Sequence, residues 1–126
     1  MKPLAQADLS RVLAVFADVD GTLTTNGRIS GTVLRALEWL VARKIAVVFV
    51  SGRPSGWGEC WARELPIVGA IVENGGLAYA WEGRKLVRRY PQSPTLRRRN
   101  RGLLVKHVNG AIARVKGVKL SMDSVA

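Results

Sequence analysis

Two carboxylates stand one residue apart in Asp18-Val19-Asp20-Gly21-Thr22-Leu23-Thr24, directly after the apolar run Val12-Leu13-Ala14-Val15-Phe16-Ala17. A folding core gains nothing from that pair, because an unpaired carboxylate taken out of water costs several kcal/mol. A cation, or a reaction that consumes negative charge, accounts for them. Two further polar clusters follow apolar runs in the same way: Ser51-Gly52-Arg53-Pro54 and Glu73-Asn74-Gly75-Gly76. Each carries residues suited to anions: a hydroxyl, a guanidinium, a carboxamide and glycine-rich backbone.

The elements that must position these groups can be read from the apolar pattern. Val12 to Asp18 is short, continuous and rich in β-branched residues, which predicts a fully buried strand. Ser30 reads as a helix N-cap ahead of Val33, Leu34, Leu37, Leu40 and Val41, an apolar stripe on a helix ending near Lys44. Ile45 to Val50 predicts a second buried strand. A helix from Pro54 or Ser55 to Leu65 follows, weakened in its first turn by Gly56 and Gly58. Ile67 to Val72 predicts a third strand. Strand, helix, strand, helix, strand is the pattern of a parallel sheet with crossover helices. Ligands bind such sheets at the carboxyl ends of the strands. Topology therefore sends Asp18, Asp20, Ser51, Arg53 and Asn74 to one mouth. Further on, Leu77–Trp81 and Lys85–Arg89 flank Glu82-Gly83-Arg84 as a hairpin, and residues 96–116 predict an amphipathic helix. Its apolar face would be Leu104, Val108, Ala111, Ile112 and Val115, with Arg97, Arg98, Arg101, Lys106 and Arg114 opposite.

Composition narrows the class. The chain has 126 residues, 48% of them hydrophobic, enough for one modest globular core. No apolar stretch reaches the ~20 residues that span a bilayer, and the first residues lack the apolar segment of a secretory signal. Cys60 is alone, so no intrachain disulfide forms and the reducing cytosol is the default compartment. Its tryptophan neighbours predict a core-facing thiol, and the tryptophans read as packing anchors. The net charge of +11 is carried entirely by residues 84–126, where Asp123 is the one acid among twelve bases. Such asymmetry suits a nucleic-acid-binding segment, or one side of a longer molecule with an acidic counterpart.

Asp18-Val19-Asp20-Gly21-Thr22-Leu23-Thr24 resembles the first signature motif of the haloacid dehalogenase superfamily. Ser51-Gly52-Arg53-Pro54 is similar to its second motif. Glu73-Asn74-Gly75-Gly76 resembles a segment of the branch whose large cap is inserted after the third strand, which includes Cof-type sugar phosphatases and sucrose-phosphate phosphatase. The match covers residues 12 to about 90. It implies a Rossmann-like α/β core at 1–90, with the beginning of an inserted cap domain at 91–126. It also implies a magnesium-dependent phosphatase that works through an aspartyl-phosphate on a small phosphorylated metabolite such as a sugar phosphate. Asp18 would be the nucleophile and Asp20 the general acid and then base. Ser51, Gly52, Gly21 and Thr22 would hold the phosphoryl oxygens. Magnesium would sit on the Asp18 carboxylate and the Asp20 carbonyl, and Arg53 and Asn74 are candidate substrate binders. The physics agrees: a carboxylate attacks a phosphate only where charge is neutralised, and magnesium prefers oxygen donors.

Two motifs of that family are not found in the sequence: a lysine that neutralises the nucleophile, and an acidic pair that completes the magnesium shell. In the capped branch both follow the cap, so the chain is expected to stop inside the cap. The resemblance then implies weak metal binding and little turnover by this chain alone. Blander readings stand beside these. Ser51 could be a plain loop residue, Asn74 could support a turn, and His107 could be surface packing. Arg97-Arg98-Arg99-Asn100-Arg101 could track a polyanion non-specifically, which keeps a basic nucleic-acid-binding module or a non-catalytic scaffold remnant as the rival function. A cap helix that attracts an anionic substrate is the more economical account. No membrane partner is expected, and exposed apolar surface would favour self-association.

Overall fold

The computed structural model describes residues 10–119; Asp123 and the ends of both expected domains lie outside them. Five strands form one sheet: β1 (Ala14–Asp18), β4 (Ala46–Val50), β5 (Gly69–Val72), β6 (Leu77–Glu82) and β7 (Lys85–Arg89), adjacent in that order. The first three are parallel, and β6 and β7 continue antiparallel as the expected hairpin. Helix α1 (Gly31–Ala42) crosses from β1 to β4, and α2 (Ser55–Glu64) from β4 to β5. Ser30 caps α1 by accepting from the Val33 amide at 3.4 Å, as the spacing predicted. A short ribbon not foreseen in the sequence, β2 (Thr24–Thr25) with β3 (Arg28–Ile29), stands between β1 and α1.

The core gathers on the α2 side. Phe49, Val72, Leu77 and Tyr79 from the sheet are almost wholly buried with Trp61 and Ala62 of α2 and Leu37 of α1. Phe49 meets the Trp61 ring edge-on, centroids 5.7 Å apart, a favoured aromatic geometry. Gly58 lets α2 come close to the sheet: a Cβ there would lie 2.8 Å from Val72 Cγ1. The tryptophans divide, against the expectation that all anchor the core. Trp61 is buried, whereas Trp39, Trp57 and Trp81 are exposed, Trp81 donating from Nε1 to the Ala62 carbonyl at 2.9 Å. Cys60 is also exposed rather than core-facing. Its neighbour Trp61 takes the inward position on the helix, and adjacent helical residues cannot share a face.

Strand β1 corrects a second expectation. It is not fully buried but alternates between half-buried and exposed, with Phe16 66% exposed and Leu13 just before it 81%. It lies at the edge of the sheet, paired only with β4 among the described residues, so apolar content there does not translate into burial. The last helix, α3 (Pro94–Ile112), starts at Ser93, which accepts from the Leu96 amide, and buries no residue. Of the expected apolar face, Val108 and Ile112 are half-buried while Leu104 and Val115 are exposed.

Candidate active site

Three parallel strand ends meet at one edge because their register leaves them level. Asp18 pairs with Val50, and Val50 pairs with Ile71. The residues that follow each end therefore share the mouth. The Ser51 amide donates to the Ile71 carbonyl at 2.9 Å and ties the second cluster to β5.

After Asp18 the chain makes one wide turn, Val19–Leu23, broken at Gly21 with φ +79°. That backbone region favours glycine, which explains the residue at this point. Thr24 braces the turn: its hydroxyl donates to the Val19 carbonyl at 3.1 Å and accepts from the Gly21 amide at 3.3 Å. The Thr22 hydroxyl donates to Asp18 Oδ2 at 3.1 Å, the one side-chain hydrogen bond on that carboxylate among the described residues. Thr22 thus orients the carboxylate in this structure, and the Gly21 amide is directed at Thr24. Thr24 stood in the sequence motif with no role attached to it.

Asp20 faces Ser51, whose hydroxyl donates to Oδ2 at 3.4 Å. It is also gripped by Arg53, with Nε 2.9 Å from Oδ2 and Nη2 2.6 Å from Oδ1. This forked contact is the strong form of an arginine–carboxylate pair. Hydrogen bonds from Arg53 hold the Asp20 carboxyl below its usual range, opposed by some loss of hydration and helped by the Arg53 charge and Ser51. The pair is half in water, with 48% of the Asp20 side chain exposed, so the carboxylate is neutralised but not sealed. The Arg53 guanidinium lies over the Trp57 ring at 4.2 Å, and its amide donates to Ser51 Oγ at 3.1 Å. A sequence without contacts offered Arg53 as a substrate binder; the structure gives it Asp20 as a partner, 33 positions away.

The third cluster forms a tight turn with positive φ at Glu73, Asn74 and Gly75 (52°, 53° and 91°). Two non-glycine residues in that region store local strain of the kind found near functional sites. Glu73, which the sequence did not single out for a role, fastens the turn. Its amide donates to the Arg53 carbonyl at 3.0 Å, and its carboxylate accepts from the Ser55 amide at the start of α2, also at 3.0 Å. Asn74 reaches back to the second cluster, so that a Cβ on Gly52 would lie 2.8 Å from Asn74 Oδ1. Gly52 is there for close approach.

A family model described as haloacid dehalogenase-like hydrolase matches residues 15–99, more than half of the chain. The chain belongs to that family. It is similar at 30% identity to a sugar phosphatase of subclass IIB, over 58% of this chain and 29% of that one, with a TM-score of 0.45. It is 29% identical to a haloacid dehalogenase-like hydrolase from Bacteroides thetaiotaomicron, over 59% of this chain and 30% of that one, TM-score 0.51. A phosphatase of the superfamily from the same organism shares the fold at 22% identity, over 86% of this chain and 39% of that one, TM-score 0.54. The chain thus spans well under half the length of these structures. No curated protein matches it.

The donors at the mouth suit magnesium in kind, being oxygens. Asp18 offers an exposed carboxylate, while the Asp20 carboxylate is taken up by Arg53. Among the described residues no three His, Cys, Asp or Glu side chains cluster to hold a metal by themselves. Magnesium does not require that, since it is often held by one or two carboxylates with substrate phosphate and water. No helix in the described residues is long and apolar enough to cross a membrane.

Proposed function

We propose that this chain carries the nucleophile-bearing part of a phosphomonoesterase acting on a small phosphorylated metabolite such as a sugar phosphate. The observation that supports it is the convergence of Asp18, Asp20 and Ser51 at one strand edge, with Asp18 exposed and oriented by Thr22. Asp18 attacks phosphorus, a P–O bond forms to its carboxylate, and the bond to the leaving oxygen breaks. Asp20 supplies the proton that the leaving oxygen takes, and later removes one from the water that splits the aspartyl-phosphate. Ser51 donates to the phosphoryl oxygens. Magnesium, held by the Asp18 carboxylate and the Asp20 carbonyl, would neutralise phosphoryl charge when bound.

The grip of Arg53 bears on this sequence of steps. With its pKa lowered, Asp20 is in the base form, suited to the hydrolytic step. Proton donation to the leaving group requires Asp20 to exchange Arg53 for the substrate. A dianionic phosphate beside Arg53 competes for the same donors and favours that exchange.

Titration of the chain with beryllofluoride, at magnesium concentrations high enough to load a weak site and followed by NMR, tests the reading. Beryllofluoride mimics a phosphoryl group on a carboxylate, so the Asp18–Thr22 amides should shift in the native chain and stay put in Asp18→Asn. Unmoved amides in the native chain would sink it. Polyanion binding through α3 is a second reading, favoured by Arg97, Arg98, Arg99 and Arg101 within two turns. It expects oligonucleotide binding that weakens steeply with salt.

A further inference from the structure

Arg53, Trp57 and Trp61 follow one another at intervals of four residues, the spacing that brings side chains together along one face of a helix. Arg53 stands just before α2, Trp57 in its first turn and Trp61 in its second. Their contacts run as a chain from the core to the mouth. Trp61 is buried against Phe49. Trp57 leans on Trp61 at a tilt, with ring centroids 5.7 Å apart. The Arg53 guanidinium lies over the Trp57 ring, 5.8 Å from the centre of Trp61, while its Nε and Nη2 fork onto Asp20. We propose that Trp57 is a positioning residue of the mouth. Its ring face keeps the Arg53 guanidinium at the strand edge, on Asp20 in the resting site and on the phosphoryl oxygens once Asp20 turns to the substrate. The inference rests on the phosphatase reading above and adds to it a residue that acts through Arg53.

Three observations support it. First, the backbone of Arg53 is fixed at both ends, its amide donating to Ser51 Oγ and its carbonyl accepting from the Glu73 amide. Only the long side chain is left to be placed, and an arginine side chain gives up much rotamer freedom when it is held. Second, Asp20 alone is a weak restraint, because the pair is half in water. The attraction between a cation and a ring face does not depend on that carboxylate, so it persists when Asp20 lets go. A guanidinium carried on a ring keeps N–H groups for acceptors, and Arg53 makes both contacts at once. Third, Trp57 is itself anchored although its ring is 46% exposed. Its amide donates to the Pro54 carbonyl at 3.1 Å, and its ring rests on the buried Trp61. Burial does not explain a tryptophan there, whereas a platform for Arg53 does.

NMR of the Arg53 side chain tests the inference without any ligand. In the native chain its Nε–H should show the restricted motion of a held group in nitrogen relaxation, and Overhauser contacts to the Trp57 ring. Trp57→Leu should set that group moving, and Trp57→Phe, which keeps a ring face, should restore most of the restriction. In the beryllofluoride titration at high magnesium, Trp57→Leu should raise the midpoint of the Asp18–Thr22 shifts about threefold, as loss of one exposed cation–π contact provides. Added to Arg53→Met, Trp57→Leu should change the midpoint no further, because its partner is already gone. An Arg53 side chain that is mobile in the native chain would overturn the inference even if the variants failed to fold. So would an Arg53 indifferent to Trp57→Leu, an unchanged midpoint, or a midpoint change that persists on Arg53→Met. If beryllofluoride shifts Asp18–Thr22 while Trp57→Leu alters neither Arg53 nor the midpoint, the phosphatase reading stands and this inference falls. If beryllofluoride leaves the native chain unmoved while Trp57→Leu frees Arg53, the phosphatase reading falls and the hold of Trp57 on Arg53 stands.

Discussion

The two sides of the sheet are built to different standards. Where α2 lies against β4, β5 and β6, side chains such as Phe49, Val72 and Leu77 are fully enclosed, and even a methyl added at Gly58 would collide. Strand β1, which carries the proposed nucleophile, leaves Phe16 largely in water. The difference teaches that stability and chemistry are drawn from separate parts of this chain. The α2 side holds the strands level, and the mouth uses that registration without contributing much burial of its own.

Substitutions on the two sides should differ in cost by a graded amount. Phe49→Ala removes a wholly buried ring from the tight side and should cost about 3–5 kcal/mol in chemical denaturation. A loss no larger than that of a surface change would mean the α2 side is not the source of stability. Gly58→Ala should cost less, about 1–3 kcal/mol, because Val72 and Tyr79 must give way to the new methyl; an unchanged denaturation midpoint would contradict the close contact. Tyr79→Phe takes the same core in the opposite direction. The Tyr79 hydroxyl is buried with no hydrogen-bond partner among the described residues, so removing it should be neutral or stabilising by up to about 1 kcal/mol. Clear destabilisation would show that a partner is bound there in solution. On the open side, Phe16→Thr should move stability by no more than about 0.5 kcal/mol, and a larger loss would mean that β1 is covered.

The mouth should respond to pH where the core does not. Asp20 has its carboxyl lowered below 3.8 by Arg53, so this pair favours the folded state above that value and the benefit fades as pH falls through the lowered one. Half exposed, the pair contributes little to overall stability. Its signature is the titration itself: Arg53→Met should raise the Asp20 pKa toward its ordinary value, read by carboxyl-carbon NMR. An unmoved titration would remove Arg53 from the account.

Much of the frame was legible in the residues. The apolar runs before Asp18, Ser51 and Glu73 and the cap at Ser30 are local features, and local features predict parallel strands with crossover helices. The motif at Asp18–Thr24 pointed to the edge where ligands gather, and the family followed from it. The burial of β1 was misjudged because an apolar run reports what a strand is able to bury, not whether anything covers it. The Asp20–Arg53 pair and the fastening of Glu73 to Ser55 and Arg53 were missed for a related reason. They join residues from different strand ends, and no spacing along the chain encodes such distances.

Period, capping and turn chemistry act over a few residues, so the order of amino acids alone dictates which segments become strands and helices. It also determined which groups could bear charge at the strand ends. Folding in three dimensions brings Arg53 to Asp20, turns Thr22 to Asp18, and sets Arg97 over the Tyr90 ring. The first joins side chains 33 positions apart and exists only once the register of β1 and β4 has brought their ends level; the other two are local in the chain but need the turn after β1 and the connection after β7 to be held in place.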